Sequence, residues 1–333
     1  MNSEFLEQPI FICGHRKTGT TLLINLLDGI KGALTYPDDS GFFYMYFPKW
    51  ASKEVSLQEK LTRIGDRIIG HNLKEVIERT ECSDQEKAEL HDHRETFKTL
   101  FLAYEGDCEK TPTLLRHFIE SFRQAFFINA EASCWIEKTT STELYAMEIK
   151  EWFPKAKFIH IVRDPRDNWA SLKSGWEKRY QDFNDDQNRL MHSLLERGKL
   201  GMEYASLNRE HLGEESYKVV RYEDLVSEPK KLMEEIAEFI GLPFSQKFLY
   251  PTTFGHQWSG NNFNGVKANQ PFTTTLNRWA SRISEEEAQL VEYYFKGIMG
   301  EWGYEPSFSA REQQAAATEH YKWYNFSTQH SVS

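Results

Sequence analysis

With 333 residues, 40% of them apolar and 14% aromatic, the chain has material for one large α/β domain or two ordinary ones. A formal charge of -10 excludes a general nucleic-acid binder, which would carry a basic stripe, but leaves room for a local basic pocket. The four cysteines (Cys13, Cys82, Cys108 and Cys134) lack the paired spacing of a zinc site or a disulfide scaffold. Neither a run of 18 apolar residues nor an amino-terminal signal core occurs, so the sequence reads as a cytoplasmic protein with no membrane span.

The first predicted element is the apolar run "IFIC" (10–13), read as a buried strand that runs into "GHRKTGTT". Gly14 and Gly19 have the spacing of the nucleotide-binding pattern G-x-x-x-x-G-K-[ST]. Thr20, however, stands at the lysine position, and the lysine lies inside the loop as Lys17. The glycines permit tight turns and close backbone approach, Thr18, Thr20 and Thr21 add hydroxyls, and a helix starting near Gly19 turns its positive end toward the loop. This is the chemistry of an anion cradle. In an ATPase the lysine after the second glycine reaches the β- and γ-phosphates. Lys17 precedes that glycine by two residues and suits a shorter ligand, one with a single transferable group beyond the first phosphate.

Farther along, "YPDDSG" (36–41) has the composition of a turn. Region 51–130 is rich in charge and helical periodicity and predicts a helical insertion over the ligand-binding edge of a sheet. Three more apolar runs read as strands: "CWIE" (134–137), "FIHIV" (158–162) and "YKVV" (217–220). A helix over 141–153 presents Leu144, Met147 and Trp152 on one face and stops at Pro154. The strand at 158–162 delivers Arg163 at its end, and a helix opened by Pro165 places Ser171 eight residues on. An arginine fork plus a hydroxyl receives a dianionic phosphate monoester well. Arg166 and Asp167, with alternating signs, are expected to pair with each other on the surface. A last helix over 227–244 takes Ser227 as N-cap, Pro229 in its first turn, and Gly241 and Pro243 as its end. Strand and helix in repetition predict an α/β three-layer sandwich with a central parallel sheet. One domain is expected over 1–312, with a tail at 313–333 whose extreme end is frayed.

"GHRKTGTT" resembles the 5′-phosphosulfate loop of the sulfotransferases that use 3′-phosphoadenosine 5′-phosphosulfate (PAPS). Two further stretches resemble the same family in the same order: "FPKAKFIHIVRDPRDNWASLKSGW" (153–176) and "YKVVRYEDLVSEPKKLMEEIAEFIGLPF" (217–244). "WIEKTTSTELY" (135–145) is a weaker match to the usual E-K-T-P. The resemblance implies a P-loop NTPase-like topology, nearer to the carbohydrate and protein-tyrosine branch than to the cytosolic aryl branch. It also implies in-line transfer of a sulfuryl group from PAPS to a hydroxyl or amine of a carbohydrate or small-molecule acceptor. The product is 3′,5′-ADP, and no metal is required. By the same resemblance His15, Arg16, Lys17, Thr18, Gly19, Thr20 and Thr21 hold the donor's 5′ end. Arg163 and Ser171, with Lys267 and Arg278, hold its 3′-phosphate, and Tyr222 contacts its adenine. Lys17 and Lys138 are the catalytic cations. The branch uses a glutamate base, but here Asp38 and Asp39 occupy that region, Asp39 being preferred and His256 the outside alternative. His15 is expected to be a structural or phosphate contact and His160 a core group. Two other readings stay open: a nucleotide kinase or NTPase with Asp164 on Mg²⁺, and a non-catalytic binder of PAPS or 3′,5′-ADP. The aromatics of "SGFFYMYFPKW" (40–50) suit a sugar face or an apolar small molecule, without fixing the acceptor.

Overall fold

Five short strands make one all-parallel sheet: β1 (Pro9–Cys13), β2 (Gly32–Thr35), β3 (Ala132–Lys138), β4 (Lys157–Val162) and β5 (Tyr217–Arg221). Their order is β2-β3-β1-β4-β5. The computed structural model describes residues 3–43, 56–106, 111–129, 131–179, 191, 194–258, 260 and 276–330. Four strands lie where the apolar runs placed them. The edge strand β2 was not legible, because "GALT" is short and half-exposed at its start.

Strand alternation divides the core. Ile10 and Ile12 face one way with Ile136, Ile159 and Ile161, packing on helices Thr20–Leu26 and Pro229–Ile240. Phe11 and Cys13 face the other way with Trp135, Phe158 and Tyr217. The helical insertion covers this second face through helices Asp84–Leu102 and Thr111–Phe126, whose Phe97, Phe101, Phe118 and Phe122 are fully buried. Each such ring is worth about 1.5–3 kcal/mol of burial, so an aromatic seam holds the insertion on the sheet. The insertion was expected over the sheet's edge. Among the described residues it packs on this face, and its helix Leu73–Arg79 reaches the edge, where Arg79 meets Asp38 at 3.0 Å.

The helix predicted over 227–244 runs from Pro229 to Ile240, and a separate short helix, Tyr222–Ser227, precedes it. Ser227 does not cap the longer one: its hydroxyl donates to the Glu223 carbonyl at 2.7 Å, and Glu228 occupies the N-cap before Pro229. Gly241 ends it in the left-handed region at φ 78, as a C-cap glycine should. The division expected between residues 312 and 313 falls inside helix Ala310–His330. Gln313, Ala316 and Ala317 are buried there, and Gln313 Nε2 donates to Glu292 at 3.0 Å. Among the described residues no helix is long and apolar enough to cross a membrane.

Candidate active site

Strand β1 lies between β3 and β4, so the loop leaving it opens at the point where the sheet's connections diverge, the usual ligand crevice of open parallel sheets. The register pairs Ile12 with Lys138 and Cys13 with His160, which brings Gly14, Lys138 and Arg163 to one end of the sheet.

The loop's shape is forced by its glycines. A Cβ on Gly14 would lie 2.6 Å from the Ile161 carbonyl oxygen, and one on Gly19 would lie 2.4 Å from Tyr222 Cδ2. Lys17 is also left-handed, at φ 68. Three groups tie the loop down. Glu143 accepts the Gly14 N–H at 3.0 Å, Arg163 donates to the Lys17 carbonyl at 2.9 Å, and Asn168 donates to the Arg16 carbonyl at 2.7 Å. Helix Thr20–Leu26 begins at Gly19 with no side-chain cap. The Thr18 hydroxyl donates to the His15 carbonyl at 2.7 Å, so its proton shapes the turn and is not offered to a ligand. Thr21 Oγ1 accepts from Lys138 at 3.0 Å and keeps its own proton to donate. His15 is buried, and among the described residues neither ring nitrogen has a hydrogen-bond partner. Burial, with Arg16 and Arg197, pushes its pKa down to about 3, so the imidazole is neutral with one donor and one acceptor.

Lys138 is buried beside the turn that the composition of "YPDDSG" indicated. Its Nζ lies 3.5 Å from Asp38 and 3.6 Å from Asp39. Burial alone would raise the Asp38 carboxyl, but Lys138 and Arg79 outweigh it and hold the group below its ordinary value. Asp39 accepts from Thr140 Oγ1 at 2.6 Å and from the Gly41 N–H at 3.0 Å. Behind this cluster stand two buried carboxyls that sequence reasoning missed. Glu137 accepts from Ser40 and from Thr139 Oγ1, and Glu143 sits under the loop. Burial raises each to about 7. Glu137 lies inside the quoted E-K-T-T stretch. The signal for Glu143 is weaker, being only its place on the 3₁₀ turn Thr142–Tyr145 just after that stretch.

At the end of β4, Arg163 is buried with its guanidinium 4.2 Å over the Tyr222 ring. Tyr222 is part of the core and packs on Gly19. Ser171 is half-buried, two turns into helix Pro165–Arg179. Arg166 and Asp167 do not pair with each other on the surface, contrary to expectation: both are buried. Arg166 bonds Asp164 and Glu292 at 2.7 Å each, while Asp167 accepts the N–H groups of Asn277 and Trp279 at 2.8 and 2.9 Å. Those two bonds hold Arg278 near Arg163. Burial, with the guanidiniums of Arg282 and Arg163 close by, lowers the Arg278 pKa. Both oxygens of Asp164 are engaged by Arg166, so it is not placed to hold Mg²⁺ as the kinase reading required. Lys267 lies outside the described residues. His160 is a core group, its Nδ1 2.7 Å from the Tyr217 hydroxyl. His256 lies beside Cys82 and Glu86.

Residues 9–246 match the sulfotransferase family. Carbohydrate sulfotransferase 1 of Rattus norvegicus is 26% identical over 170 residues, covering 47% of this chain and 40% of that protein. Carbohydrate sulfotransferase 2 of Mus musculus is 32% identical over 99 residues, 29% of this chain and 18% of that one. The chain thus spans less than half the length of these relatives. Among solved structures, the sulfotransferase domain of the Synechococcus PCC 7002 olefin synthase superposes with a TM-score of 0.56 at 18% identity, covering 90% of this chain and 95% of that one. The sulfotransferase domain of the curacin biosynthetic pathway does so with 0.56 at 15%, covering 90% and 98%. At such identities these likenesses speak for the fold alone. The parallel sheet, the glycine-framed loop at its divergence point and the match over 9–246 agree: the chain belongs to the sulfotransferase family, closer to its carbohydrate branch.

Proposed function

We propose that the protein transfers a sulfuryl group from PAPS to a hydroxyl of a carbohydrate acceptor, releasing 3′,5′-ADP. The observation that carries this reading is the pair of anion sites at one sheet end. The loop with Lys138 forms one, and Arg163 with Arg278 forms the other, one strand away. A nucleotide bearing phosphate at both 5′ and 3′ positions needs two such sites; a nucleoside triphosphate needs one. The buried imidazole of His15, without a hydrogen-bond partner among the described residues, and the uncapped start of helix Thr20–Leu26 also fit an anionic ligand in the loop.

In this reading His15, Arg16, Lys17, Gly19, Thr20 and Thr21 hold the 5′ end, and Lys17 and Lys138 neutralise charge that builds on the sulfuryl group and the leaving phosphate. Arg163, Ser171 and Arg278 hold the 3′-phosphate. Asp39 accepts the acceptor's proton, while Asp38, held ionised by Lys138 and Arg79, fixes the lysine in place. The insertion over 51–130 forms the acceptor side, which Arg79's reach to Asp38 supports. A carbohydrate acceptor is favoured by the names of the sequence relatives.

Incubation with labelled PAPS and a panel of mono- and oligosaccharides tests this. Label should move to at least one acceptor, and Lys138→Ala should abolish the transfer. Binding of 3′,5′-ADP without transfer to any acceptor would make the protein a non-catalytic binder.

A further inference from the structure

Cys82, Glu86 and His256 come from two segments far apart in sequence, and each offers a ligand atom within 4.8 Å of the other two. None of them belongs to the cradle. Cys82 lies in the turn before helix Asp84–Leu102, Glu86 is in that helix's first turn, and His256 is on the short hairpin of β6 (Thr252–Thr253) and β7 (His256–Gln257).

Two of the three are already held. Ser83 donates its N–H and its hydroxyl to the same oxygen of Glu86, at 2.8 and 2.7 Å, which orients the carboxylate and leaves its other oxygen outside those two bonds. The hairpin turns through Phe254 and Gly255 at φ 52 and 77, the left-handed pair of a tight two-residue turn. It is anchored on Asp28, which accepts from Thr252 Oγ1 at 2.7 Å and from the Gly255 N–H at 2.8 Å. Phe254 stacks on Phe126 of the insertion, with centroids 5.2 Å apart. His256 is therefore presented to the insertion from a rigid arm.

We infer that Cys82, Glu86 and His256 form a zinc site that clamps the helical insertion to the hairpin. Thiolate, imidazole and carboxylate together are a zinc ligand set, and three protein ligands leave a fourth position for water. Zinc–ligand bonds of about 2.0–2.3 Å at tetrahedral angles put ligand atoms about 3.4–3.6 Å apart. The cluster must therefore contract by about 1 Å, within the reach of side-chain rotation on a half-exposed surface. As Sγ binds, the Cys82 thiol gives its proton to solvent. The hairpin packs on the helix that follows the loop, since Thr253 Oγ1 bonds Asn25 Oδ1 at 3.1 Å. A metal here would join the insertion to the element that shapes the cradle, without entering it.

Calorimetric titration of the full chain with zinc, and absorption spectra with cobalt(II), test the site. Zinc should bind in about one equivalent and raise the thermal midpoint, and cobalt should show a thiolate charge-transfer band. Cys82→Ser and His256→Ala should each weaken zinc binding by at least about 100-fold and remove the band or the midpoint shift, while Asp84→Asn should not. Zinc affinity unchanged in both variants, or no thiolate band in the native chain, would overturn the inference. Because the native spectrum is read without mutation, misfolding of a variant cannot decide the matter, and the result is independent of whether PAPS is the donor.

Discussion

Glu143 beneath the loop makes a strong pH prediction. It is almost fully buried, with one oxygen on the Gly14 N–H and the other, among the described residues, without a hydrogen-bond partner. Burial holds its proton to about pH 7, against an ordinary 4.5. Between those values the unfolded chain releases a proton that the native chain keeps, so raising the pH favours unfolding. The loss begins above pH 4.5 and is complete above 7. Its size is at most about 3 kcal/mol. Glu143→Gln keeps an acceptor for Gly14 and removes the charge. In thermal or urea unfolding the variant should match the native protein at pH 5 within about 1 kcal/mol and exceed it by about 2–3 kcal/mol at pH 8.5. The same gap at both pH values, or a native protein that gains on the variant as pH rises, would refute the burial argument. Glu137, raised by burial to about 7 as well, adds a slope of the same sign to both proteins and cancels in the comparison.

Three further outcomes follow from the geometry. Lys17→Ala should lower kcat by at least about 100-fold in a labelled-transfer assay, as loss of a transition-state charge partner does, and an unchanged rate would mean that the loop has another purpose. Asp39→Asn should remove at least about 100-fold of the rate, whereas Asp38→Asn should cost less, because Asp38 is held ionised by Lys138 and Arg79; the reverse order would move the base to Asp38. Arg166→Ala should destabilise the fold by about 3–5 kcal/mol in urea unfolding, since it leaves the buried carboxylates of Asp164 and Glu292 without their cation, and a change below about 1 kcal/mol would show that the remaining hydrogen bonds to them suffice.

The strands and the glycine-framed loop were legible because their signals are local. "IFIC" and "FIHIV" are apolar runs bounded by turn residues, and Gly14 and Gly19 are glycines at a fixed spacing whose need the structure shows as two clashes. What was not legible depends on partners distant in sequence. The charge pattern of Arg166 and Asp167 suggested a surface pair, yet Arg166 finds Glu292 and Asp167 finds the backbone near Trp279. Composition alone gave the Asp38–Asp39 turn, but not that Arg79 of the insertion would reach Asp38 and hold it ionised. Edge strand β2 escaped because pairing with β3, rather than its own pattern, makes it a strand. The helix through Gln313 is not legible as part of the fold, since "QQAAATEH" gives no sign of the buried Glu292 that Gln313 bonds.

Two anion sites at the sheet end require a donor with phosphate at both the 5′ and 3′ positions. Calorimetry with 3′,5′-ADP and with Mg-ATP addresses this directly. Binding of 3′,5′-ADP in the micromolar range, weakened chiefly by Arg163→Ala, with no comparable binding of Mg-ATP, is the result expected from the two anion sites. Preference for Mg-ATP, or 3′,5′-ADP binding indifferent to Arg163, would contradict it.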